Sequence, residues 1–103
     1  MSGKLISYEL SEEADFDLSQ IFDYTEKEHG FNQAVLYLTN IEAVFQSLVA
    51  SPFIGRTRNE IKQELFSITE QEHTIFYRIN ENYIRIVRIL HGRKDIPKLF
   101  SFS

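Results

Sequence analysis

The 103-residue sequence contains no cysteine. A disulfide framework, a thiolate metal site and a cysteine nucleophile are excluded together, and the absence fits a reducing compartment. Also missing is any run approaching the roughly 20 apolar residues that span a bilayer, and Met1 to Leu10 lacks the apolar centre of a signal peptide. The expectation is a cytoplasmic protein with no membrane partner. No repeat, linker or low-complexity tract interrupts the chain, so residues 1–103 read as a single domain. No pair of histidines or carboxylates has metal-ligand spacing, so neither a metal nor another cofactor is expected.

What is present is enough for one core: 43% of the residues are apolar, including nine Phe and five Tyr. The net charge of −4 argues against a generic nucleic-acid binder, but it is unevenly spread. Residues 1–52 carry two lysines against nine acids, and residues 53–103 carry nine Lys/Arg against six acids. The carboxyl-terminal half thus presents a basic surface on an acidic body.

Leu5 to Leu10 alternates in the strand period, with Ile6, Tyr8 and Leu10 on one face. Ser11 then stands where a helix N-cap belongs, and Glu12, Glu13 and Asp15 supply the acids that favour a first turn. The spacing of Ala14, Leu18, Ile21, Phe22 and Thr25 predicts a helix from about Glu12 to His29, stopped by Gly30. A second helix, capped by Asn32 and ended at Ser51-Pro52, follows from the stripe Ala34, Val35, Leu38, Ile41, Phe45, Leu48 and Val49. After a polar loop, Phe53 to about Lys62, come three strand-like runs: Glu64–Ile68, His73–Ile79 and Tyr83–His91. The last is apolar on both faces and should be a central strand. The fold class is α+β: an N-terminal strand, an antiparallel helical hairpin, then a three-stranded antiparallel meander.

Five segments resemble the ParE branch of the RelE/ParE toxins in the same order. They are Tyr8-x-Leu10-Ser11-x-x-Ala14-x-x-Asp17-Leu18-x-x-Ile21-x-x-Tyr24-Thr25; Gly30-x-x-Gln33-Ala34-x-x-Tyr37-Leu38; Pro52-x-Ile54-Gly55-Arg56; His73-x-Ile75-Phe76-Tyr77-Arg78; and the run from Ile86 to Asp95. The resemblance implies the RelE/ParE-like fold and the toxin of a bacterial type II toxin–antitoxin module, neutralised by a cognate antitoxin whose flexible tail wraps it. DNA would be reached only indirectly, through the antitoxin. The ParE branch inhibits DNA gyrase by binding; the RelE branch cuts messenger RNA on the ribosome. A relic that only binds antitoxin is a third reading, to which the acidic amino-terminal half adds weight.

Cleavage of RNA needs groups to deprotonate a 2′-hydroxyl, stabilise a pentavalent phosphate and protonate the leaving oxygen. Arg56, Arg58, Arg78, Arg88 and His91 are the candidates to converge, but no base–acid pair accompanies them, so no catalytic residue is assigned. With Arg93 and Lys94 these five are expected to form the target-binding, toxic surface. Arg56 has two readings, an ion pair with Glu60 or a partner contact. Arg78 and Arg88 lie within strands, where arginine calls for a counter-charge or a function. His29 is read as a surface residue at a helix C-terminus and His73 as structural. Phe22, Tyr24, Tyr37 and Phe53, with the apolar tail Leu99–Ser103, exceed what one sheet face covers and are the expected antitoxin-binding surface.

Overall fold

The structure, a computed structural model, describes residues 5–92. Its elements are β1 (Ser7–Leu10), α1 (Glu12–His29), α2 (Phe31–Ala50), β2 (Arg56–Thr57), β3 (Phe66–Glu70), β4 (His73–Ile79) and β5 (Tyr83–His91). They form one five-stranded sheet in the order β1-β5-β4-β3-β2. The expected meander β3-β4-β5 is antiparallel throughout, with β5 inside the sheet. β1 adds in parallel on its far side, pairing Tyr8 with Ile84 and Leu10 with Ile86. Among the described residues no helix is long and apolar enough to cross a membrane.

The helical hairpin covers one sheet face. Ala14 and Ile21 of α1 and Ile41, Phe45 and Leu48 of α2 pack on Ile75, Tyr77, Ile84, Ile86 and Ile89. Each isoleucine, leucine or phenylalanine of this set taken out of water stabilises the fold by about 1.5–3 kcal/mol. Gly30 serves both helices: its N–H closes α1 on the Glu26 carbonyl, and it precedes α2 at φ 96° and ψ 166°, a region reserved for glycine. The cap of α2 is therefore Gly30, not Asn32, because one residue suffices to reverse the chain.

Three other expectations shift. Tyr8 and Leu10 face the helices as expected, but Ile6 is exposed and Leu5 packs in its place, so the strand begins only at Ser7. The third-from-last strand starts at Phe66 rather than Glu64, since Glu64 sits at φ 63° and turns the chain. Within the supposed loop, Arg56 and Thr57 pair antiparallel with Ser67 and Phe66 as a short edge strand.

Ser11 joins α1 to the sheet. Its Oγ accepts from the Ala14 N–H at 2.9 Å and donates to the Val87 carbonyl at 2.7 Å. Val87 is the extra residue of a β-bulge: Phe76 pairs with Arg88 and Tyr77 with Ile86, leaving Val87 without a partner across the ladder. Ser11→Ala removes a cap and orphans a carbonyl; we expect it to lower stability by about 2 kcal/mol in urea denaturation.

Candidate functional site

A cleft of about 630 Å³ opens between α1, the start of α2, the β3–β4 turn and the end of β5. Asp17 lies in it, 8% exposed, on the inward face of α1. It accepts from Arg88 Nε at 2.8 Å, from Arg88 Nη2 at 3.1 Å and from the Ile89 N–H at 3.0 Å. The bulge at Val87 lies immediately before Arg88, and bulges re-aim neighbouring side chains. The hydrogen bond to Asp17 is the main cause that raises the Arg88 pKa above its ordinary value, so the guanidinium is held charged.

Beside this pair, Tyr37 Oη lies 2.6 Å from His73 Nδ1 and 3.2 Å from the Glu70 carbonyl. Both contacts are satisfied when His73 carries its proton on Nδ1 and donates to the phenol, which donates to Glu70. His73 meets His91 edge to face at 5.5 Å between ring centroids, and His91 Nε2 is 3.3 Å from Glu72 Oε1. The Gly92 N–H closes the turn on the Glu72 carbonyl. Exposed Phe16, Gln20, Tyr24, His29 and Gln33 stand along the helical wall. The floor is polar but internally satisfied; the rim is aromatic and amide-rich. A second groove, about 380 Å³, runs between the helices and β1, lined by Leu18, Phe22, Val35, Leu38 and Phe45.

The sheet face away from the helices has a different character. Cross-strand partners share a face, so Arg56, Ser67 and Phe76 lie together there, as do Arg78, Arg85 and Glu9. Arg58 stands over the Phe76 ring at 5.7 Å, donates to Ser67 Oγ at 3.1 Å and pairs with Glu60 at 2.6 Å. Arg85 reaches Glu9 at 3.9 Å. Arg56 and Arg78 make no ion pair among the described residues.

The family model described as the ParE toxin of the type II toxin–antitoxin system parDE matches residues 8–96. The chain belongs to the ParE toxin family. It is 36% identical over 92 residues to Toxin ParE1 of Mycobacterium tuberculosis, covering 88% of this chain and 94% of that one. Toxin ParE3 of Caulobacter vibrioides is 32% identical over 80 residues, covering 78% and 80%. The fold matches a chain of the chromosomal ParDE system from P. aeruginosa with a TM-score of 0.74 at 20% identity, over 86% of this chain and 98% of that one.

In this ParE-family chain the residues expected to form one basic surface occupy two places. Arg56, Arg58 and Arg78 are on the sheet face away from the helices, where Leu65 and Ile61 cover Phe76 and Leu90; Arg88 and His91 are in the cleft under α1, and Arg93 and Lys94 lie outside the described residues. Of the two readings for Arg56, the close pair with Glu60 is made by Arg58, while the charge of Arg56 acts on the same carboxylate from farther off. The aromatic set also divides. Phe22 lines the groove beside β1, Tyr24 and Tyr37 line the cleft, and Phe53 stands at the β2 edge against Phe66. Tyr37 is 7% exposed and supports the cleft from within the core. The tail Leu99–Ser103 lies outside the described residues. Two residues outside the expected sets matter: Arg85, cross-strand to Arg78, and Asp17. An acid in the apolar stripe Ala14–Asp17–Ile21 of one element, and an arginine inside a strand of another, are together the signal of a buried pair.

The tyrosines of this core set an alkaline limit. Burial first, then the Glu42 carboxylate that its hydroxyl contacts at 2.8 Å, pushes Tyr8 from 10.0 up to about 12. Burial, then Glu70 and Glu72, pushes Tyr37 up to about 12, and burial raises Tyr77 as well. A raised folded pKa keeps the phenol protonated where the unfolded chain has begun to ionise. The stabilisation is thus whole below about pH 10 and is lost as pH rises towards 12. The urea midpoint is expected to fall across that window, and less steeply in Tyr37→Phe.

Proposed function

We propose that this chain is held inactive by a cognate antitoxin and, when released, inhibits DNA gyrase in the cytoplasm by binding it. Support for binding over cleavage comes from Arg88: the bidentate Asp17 contact occupies the guanidinium that a phosphate would need. The other arginines are on the opposite sheet face, away from His91, so no single phosphate would meet the whole set. His91, Arg56, Arg78 and the motif running on to Arg93 and Lys94 are the residues proposed to meet the target.

For the antitoxin, the two recesses of the helical face fit an amphipathic segment. The groove holding Phe22 runs beside β1, whose outer edge pairs with no strand among the described residues. A helix laid in that groove, a strand added to β1, and a further segment reaching Tyr24 in the cleft would use established modes of peptide recognition.

The test is co-expression with the neighbouring open reading frame. Induction of the chain alone should arrest growth with DNA-damage signalling, and the partner should relieve the arrest and co-purify through moderate salt. Two proteins that separate cleanly contradict the antitoxin assignment. Arrest through translation, with message cut only on ribosomes, contradicts the gyrase assignment. Harmless expression supports the relic instead.

A further inference from the structure

The loop between α2 and β2 carries two consecutive large apolar side chains in water: Phe53 is 73% exposed and Ile54 53%. Phe53 touches the core only edge-on, at 5.9 Å from the Phe66 ring. The loop that displays them is nevertheless pinned. Tyr77, fully buried, donates its hydroxyl to the Pro52 carbonyl at 2.7 Å and accepts the Gly55 N–H at 3.1 Å. The Ile54 N–H returns to the Ser51 carbonyl at 3.2 Å. Gly55 lies so close to Tyr77 Oη and the Ser67 carbonyl that a Cβ would collide with both. The core thus holds an apolar tip outward in a single shape. Preorganisation of this kind removes ordering cost from binding.

Arg56 follows the tip directly, exposed on the edge strand and without an ion pair among the described residues. Aromatic and arginine side chains side by side are the composition of an interface anchor. We infer that Phe53, Ile54 and Arg56 form the anchor by which the toxin grips its protein target, in an apolar socket bordered by carboxylates. A nucleic acid would offer Arg56 a phosphate and Phe53 a base to stack on, but it would leave Ile54 bare and be repelled by the net charge of −4. The antitoxin is the competing occupant: β2 and β1 are opposite edges of the sheet, about 19 Å apart, a span that roughly six extended residues of a tail would cross, and its affinity is the arm of the experiment that separates the two. This inference rests on the proposal that the chain acts by binding a protein.

The experiment compares full-length F53S/I54S, R56E and R56K with the wild type in growth arrest, gyrase supercoiling and affinity for the co-expressed antitoxin. The double variant and R56E should weaken arrest and inhibition by about tenfold or more, and R56K much less, while antitoxin affinity holds within about twofold. Arg56 is exposed and makes no ion pair among the described residues, its charge reaching Glu60 only from a distance, so R56E reports on the anchor even if the double variant melts early. Undiminished arrest by R56E overturns the inference, as does an equal loss of antitoxin affinity. Wild-type arrest without an effect on supercoiling sinks the gyrase assignment alone, since growth then still judges the anchor. A wild-type chain that arrests nothing contradicts both.

Discussion

Asp17→Ala is expected to lower folding stability by about 3–5 kcal/mol, a large share of the 5–15 kcal/mol typical of a domain. The carboxylate uses both oxygens on three donors from β5, and its removal strands a partly buried guanidinium that keeps only the more distant Glu13 as a counter-charge. Arg88→Ala should cost a similar amount by leaving the acid unpaired. The double variant should lose less than the sum, because the second truncation removes a penalty that the first created. Arg88→Lys should not restore the wild type, since an ammonium cannot donate the parallel bonds of a guanidinium. Chemical denaturation of the four variants decides it; additive losses would show that the pair is not coupled. Function follows. Arg88→Ala should lose growth arrest and antitoxin binding together, by loss of fold, whereas His91→Ala, at the half-exposed cleft mouth, should leave antitoxin binding and stability near wild type.

The second large effect is at Gly55. Its backbone torsion is not what requires glycine there; the neighbours are. A Cβ would run into the Tyr77 hydroxyl and the Ser67 carbonyl, and Ser67 is the β3 partner of Arg56. Overpacking of this kind costs about 1–3 kcal/mol. Because a backbone oxygen must move, Gly55→Ala should also open the β2–β3 ladder, read as faster amide exchange at Arg58, whose N–H bonds the Leu65 carbonyl. Tyr77→Phe keeps the ring and its stack on Phe66 but orphans the Pro52 carbonyl and the Gly55 N–H, for a loss of about 2–3 kcal/mol. If Tyr77→Phe melts like the wild type, the loop is not held as described.

How much of this could be read beforehand follows from which forces are local. The helices, their serine cap and the two hairpins were legible because apolar period, capping chemistry and turn composition act within a few residues. So was the inner position of β5, since a strand apolar on both faces must be covered on both. The parallel partnership of β1 and β5 was not, for it joins residues 76 apart through backbone bonds that leave no pattern in either strand. The two-residue β2 is shorter than any periodicity can register. The constraint on Gly55 was not legible, because a close approach to Tyr77 and Ser67 leaves no mark on the neighbouring residues. The site was legible as residue types and not as a grouping. Charge pointed to the second half as one basic surface, but alternation could not foresee the bulge at Val87. With that bulge Arg88 meets Asp17, while Arg56, Arg58 and Arg78 remain on the face away from the helices.

The most direct measurement is gyrase supercoiling in the presence of purified chain and ATP, with a parallel incubation of ribosomes and message. The expected result is loss of supercoiling at micromolar toxin, restored by the co-purified antitoxin, with message intact. Supercoiling left untouched while ribosome-bound message is cut would contradict the account, and would require the arginines and His91 to be reinterpreted as an active site.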